Sequence, residues 1–113
     1  MQAGRELDVK VAEALGFRIY EDFPVCAIYT GDTPTSFRVF RPSVDWTSMG
    51  VLVEEAKKNE IYLDFSHTFN GCYCGFAGVF KDGEYQLDHN TPAVKGAPHA
   101  VSLAYLMAKG ITA

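Results

Sequence analysis

The chain has 113 residues, 48% of them hydrophobic and 21% charged, with 10 Lys plus Arg against 14 Asp plus Glu and a formal net charge of −4. That composition lies far from disordered chains, and the length fits one domain, 1–113, with a core that needs no covalent staples. Mild acidity argues against duplex nucleic acid or an anionic membrane as the main partner, because affinity there rests on clustered Lys and Arg, and no run of about 18 apolar residues marks a transmembrane helix.

Leu7, Val11, Ala14 and Leu15 form one apolar stripe at helical spacing, predicting a first helix over Glu6–Leu15 that Gly16 stops. Aromatic and β-branched residues then predict short strands at Phe17–Tyr20, Val25–Thr30 and Phe37–Arg41, with Gly31–Ser36 as a loop. Pro42-Ser43-Val44-Asp45 opens a second helix, with Ser43 expected at the N-cap and Asn59 at a left-handed C-terminal cap. Its buried stripe is expected to be Trp46, Met49, Val53 and Ala56, with Leu52 beside them. Glu60–Phe69 alternates, and Asn70-Gly71 and Asp82-Gly83 read as two-residue hairpin turns. Cys72–Phe80 and Glu84–His89 then complete a three-stranded antiparallel meander. Gly75, Ala77 and Gly78 permit close approach of a helix or another subunit. Pro98 and Gly110 frame a last helix, Pro98–Lys109, whose faces are nearly all apolar. Such a helix is either well buried or part of an oligomer contact.

The fold expected is therefore α+β: an antiparallel sheet, made of the C-terminal meander plus the N-terminal strands, packed by about three helices on both faces.

The two turns set a register. A two-residue loop at Asn70-Gly71 pairs His67 with Cys74, Phe65 with Phe76 and Ile61 with Phe80; a loop at Asp82-Gly83 pairs Phe80 with Tyr85 and Phe76 with His89. Ile61, Leu63, Phe65, Phe76, Phe80, Tyr85 and Leu87 would then share the core face. His67, Cys72, Cys74 and His89 would gather at one end of it, within about 7 Å across the diagonal. Thiolate and imidazole together suit zinc, so these four are the candidate metal ligands, although Cys-X-Cys is a weaker signal than paired Cys-X-X-Cys. Cys74 with His67 is the corresponding nucleophile–base pair, but Asp64 points to the opposite face and cannot orient the imidazole. The bland alternative is a thiol-lined end of the core. The three cysteines, Cys26, Cys72 and Cys74, form no disulfide framework, and Met1–Glu6 carries no export signal. They read as reduced thiols in a cytoplasmic protein.

Two further groups are candidate ligand-binding residues. Lys95 and His99 flank the start of the last helix, where free backbone N–H groups attract a phosphate or carboxylate, although helix capping alone also explains the segment. Arg38 and Arg41, with Phe37, Phe40 and Tyr29, would make an aromatic–cationic surface, or simply guard a sheet edge with charge. No catalytic residues and no cofactor are expected.

The order helix, strands, capped helix, meander, apolar helix carries a resemblance. So do Ala3-Gly4-Arg5-Glu6-Leu7-Asp8 with Val11-Ala12-Glu13 and Gly16, Pro42–Asp45 leading into Val51–Ala56, and the closing helix after Ala97-Pro98. With these the chain resembles the phage ABA (alpha-beta-alpha) sandwich domain family, small phage and prophage proteins of Bacillus and its relatives. Phe17–Arg41 and Cys72–Cys74 lie outside the resemblance. It implies an alpha-beta-alpha sandwich and a phage setting, in the host cytoplasm, and no catalytic residues. Three classes of function follow as expectations: a non-enzymatic phage accessory protein that binds a host protein, a homo-oligomeric protein that binds or sequesters a small molecule such as a nucleotide signal, and a small Cys/His metal- or thiol-dependent enzyme.

Overall fold

Leu7 and Val11, about one helical turn apart, are buried with Ala12 on α1 (Arg5–Ala14), which Gly16 ends at a φ of 84°. The structure, a computed structural model, describes residues 1–31 and 36–112, and within them the side chains of all but Lys81, Leu87 and Asp88. Most of the loop expected at Gly31–Ser36 and the inward position expected for Leu87 lie outside what is described. The N-terminal strands are shorter than their composition suggested. A run of bends over 21–25 leaves Phe17–Tyr20 with a single bridge, Ile19 to Ile28. Strands β1 (Ala27–Tyr29) and β2 (Phe37–Val39) pair antiparallel as a separate two-stranded sheet.

Helix α2 (Trp46–Lys58) is capped by Asp45, not Ser43: the Asp45 carboxylate accepts from the backbone N–H groups of Thr47 and Ser48. Ser43 is buried instead, its N–H donating to Asp8 Oδ1 at 2.8 Å while its Oγ accepts from the Gly4 N–H at 3.0 Å. Met49, Leu52 and Ala56 form the buried stripe. Trp46, expected there, is 55% exposed because it stands at the first helical position, beyond the end of the stripe, edge-on to Phe65. The positive φ expected at Asn59 falls on Glu60, at 61°.

Strands β3 (Ile61–His67), β4 (Tyr73–Lys81) and β5 (Glu84–Asn90) form the expected meander, in the order β3-β4-β5. Asp82 and Gly83, with φ of 53° and 80°, make the tight second turn. The first turn is longer than two residues. Thr68 bonds Cys72 through its backbone N–H at 2.8 Å, and its hydroxyl accepts from the Cys72 N–H and donates to Asn70 Oδ1. The register consequently moves by one: Ile61 faces Val79, Leu63 faces Ala77, Phe65 faces Gly75 and His67 faces Tyr73. Because side chains alternate, the whole of β4 exchanges faces relative to the expectation. Ile61, Leu63 and Phe65 do point toward the core, but Phe76 and Phe80 lie on the opposite, outer face. Tyr85, paired with Phe80, follows them and is 53% exposed. An irregularity between Ala77 and Val79 shifts β5 by one residue, so that His89 faces Ala77.

Helix α3 (Ala97–Ala108) packs on β4, reaches β3 and β5, and is itself covered by α1 and α2. Val101, Ala104, Tyr105 and Leu106 are buried there with Leu7, Val11, Phe40 and Leu52. The well-buried alternative for this apolar helix therefore holds. The molecule is an α+β sandwich of three helices and two antiparallel sheets. The meander takes its helices on one face and not on both, since Tyr62, Asp64, Ser66, Phe80 and Tyr85 on the other face are exposed. Among the described residues, no helix is long and apolar enough to cross a membrane.

Candidate functional site

The one-residue shift separates the expected metal ligands. Cys74 lies on the outer face with Ser66, whereas His67 lies on the inner face, its ring 4.7 Å from that of Tyr73. His89 faces Ala77 on the inner side, and Cys72 belongs to the turn. Among the described residues, no group of three or more His, Cys, Asp or Glu is placed to hold a metal ion. The pairing of Cys74 with His67 as nucleophile and base fails for the same reason. Cys72 and Cys74 are half-buried free thiols. Cys26 is fully buried, and burial, reinforced by the nearby Asp8 charge, pushes its thiol up to about 11, which makes it inert at neutral pH.

Arg38 is exposed on β2 and Arg41 is half-buried, and neither lines a described cleft. Their expected aromatic partners are engaged elsewhere: Phe40 is buried, and Phe37 stacks on Tyr20 at 4.5 Å. Tyr29 carries the Arg18 guanidinium at 4.2 Å from its ring centre. Among the described residues, a cation seated on an aromatic ring of this sheet is thus Arg18, a residue with no helical or strand periodicity to mark it.

Lys95 and His99 do come together. With Gly96 and Pro98 they line an open cleft of about 420 Å³ at the N-terminus of α3, walled by Trp46 and Tyr73. His99 Nε2 donates to the Met1 carbonyl at 2.8 Å. The exposure of Trp46, which gives this cleft an aromatic wall, follows from the cap lying at Asp45.

The outer face of the meander carries a group of exposed aromatic residues on regular structure. Phe80 is 43% exposed beside Tyr85, and the Tyr62 and Tyr85 rings meet edge to face at 5.8 Å. Gly78 on the central strand makes this possible, because any β-carbon there would collide with the Tyr85 ring. Asp64 Oδ1 accepts from the Phe65 N–H at 2.8 Å and so occupies a donor on the β3 edge. The alternation of Glu60–His67 already placed Tyr62, Asp64 and Ser66 on this side; what was missed is that Phe76, Phe80 and Tyr85 join them. In comparisons with known proteins, no family model and no curated protein matches the chain.

Proposed function

We propose that this is a non-enzymatic accessory protein that acts by binding a partner protein through the outer face of the meander. The observation that carries the reading is that face itself: aromatic rings of Tyr62, Phe80 and Tyr85 stand in solvent on a rigid sheet while helices cover the other side. Exposed apolar patches rimmed by polar groups mark interaction surfaces, and tyrosines are favoured anchors within them. A phage or prophage setting, with a host protein as partner, is supported by the resemblance at Ala3–Asp8, Pro42–Asp45 and the closing helix. Photo-crosslinking in the native cell tests the reading. A crosslinking residue in place of Tyr85 is expected to capture a discrete partner, and one in place of Glu13, exposed on α1, is not. Equal capture from both positions, or from neither, removes the outer face as a docking surface.

A second reading, a homo-oligomeric small-molecule binder, is favoured by one specific observation, the cleft where Lys95 and His99 meet aromatic walls at the start of α3. Native mass spectrometry of protein purified from cells decides it: a multimer retaining an anionic small molecule supports this reading, and an unliganded monomer excludes it.

A further inference from the structure

The partner's chemistry can be drawn from the outer face, on the footing that this face is the docking surface. Acidic charge is unevenly spread along the chain. Residues 60–90 hold Glu60, Asp64, Asp82, Glu84 and Asp88 against the single Lys81, a charge of −4 and hence the entire formal charge of the chain. On the outer face Asp64 is exposed beside Tyr62, while Glu60 is exposed where the chain enters β3 and Asp82 at the turn beyond Phe80. No described side chain on this face is basic.

An aromatic ring in solvent offers its negative face to a cation, and a carboxylate at its border adds charge attraction and hydrogen-bond acceptors. Among the described residues, Arg18 already lies over the Tyr29 ring as a cation on an aromatic face. From this charge complementarity we infer that the outer face docks a basic segment of a partner polypeptide, seating an Arg or Lys side chain on Tyr85 and Tyr62 beside Asp64. The segment binds through its side chains across the face. Strand addition at the β3 edge is disfavoured, because Asp64 already occupies the Phe65 N–H. The concentration of negative charge steers a basic partner to this end of the molecule and makes the association salt-sensitive.

The test selects random linear peptides on the full chain and remeasures the selected peptides on two variants. Tyr85→Ala removes the ring, and Asp64→Asn removes the charge but keeps the oxygen that holds the Phe65 N–H. The expected result is enrichment of Arg- and Lys-bearing peptides, about tenfold weaker on Tyr85→Ala, weaker also on Asp64→Asn, and weakened by added salt. Enriched peptides without excess positive charge that still depend on Tyr85 overturn the basic partner and leave the docking face standing. Enrichment of no peptide that depends on Tyr85 overturns both. Circular dichroism checks that Tyr85→Ala folds, and Tyr62→Ala probes the same pair of rings should it not.

Discussion

Gly75 and Gly78 stand three residues apart on β4 and do opposite things. A β-carbon on Gly75 would collide with the backbone carbonyl of Ala100, so the glycine is what lets α3 lie directly on the central strand. The nearest atoms to a β-carbon on Gly78 would belong to the ring of Tyr85, an exposed side chain that can swing away. Gly75→Ala is therefore expected to cost about 3 kcal/mol, at the upper end for overpacking against an unyielding neighbour, and Gly78→Ala less than about 1 kcal/mol. Urea denaturation midpoints check this, and equal costs would mean that α3 does not approach β4 as closely as the backbone contact requires. The sequence shows small residues at 75, 77 and 78 and their permissive role. It cannot show that 75 and 78 look toward different neighbours until the register of β4 is known.

At the scale of the element, caps and turns decide where each segment begins and which way it faces. Asp45 gathers the Thr47 and Ser48 N–H groups and the Ser48 hydroxyl, whose oxygen in turn accepts from the Arg41 N–H. Asp45→Ala should cost about 1–2 kcal/mol, read as a fall in thermal midpoint, with the loss concentrated in the first turn of α2. Either Ser43 or Asp45 satisfies the compositional rule for an N-cap. What separates them is a long-range fact, the bonds that tie Ser43 to Gly4 and Asp8. The two hairpin turns differ in the same way. Asp82-Gly83 was readable because both residues take the positive φ that such a dipeptide signals. Asn70-Gly71 was not, because the Thr68 side chain holds Asn70 and Cys72 and lengthens the reversal. That one hydroxyl undoes the expected grouping of His67, Cys74 and His89. It also turns Phe76 and Phe80 outward, so the candidate face exists because the local turn chemistry overrode the simplest pairing. Element types and order were readable throughout from periodicity; the faces depended on a turn that periodicity does not describe.

Across the whole molecule, the apolar α3 is the common neighbour: it lies on the meander, meets α1, and meets α2, which itself also packs on β3. Burial of Val101, Ala104, Tyr105 and Leu106 within one chain answers the demand that its composition makes, so self-association is not needed to cover this helix. The joint between α1 and the start of α2 is different in kind, since it is made by a carboxylate. Asp8 is 1% exposed, its Oδ1 holds the Ser43 N–H, and its Oδ2 has no hydrogen-bond partner among the described residues. Burial raises its affinity for a proton above that of an ordinary carboxylate, against the opposing pull of hydrogen bonding from Ser43 and the positive charge of Arg41. A carboxyl whose folded pKa is raised binds a proton in the native state before it does so in the unfolded chain. Its ionised form weakens the fold at neutral pH, and that penalty is relieved as pH falls through the raised value, with relief complete below the ordinary 3.8. Asp8→Asn keeps an oxygen for the Ser43 N–H but cannot titrate. Thermal midpoints of the two proteins, compared from neutral pH downward, should show the wild type gaining on Asp8→Asn across that window and no further change beneath it. A wild type that instead loses ground as pH falls would mean that Ser43 and Arg41 outweigh burial, and that the joint is held by the charged form.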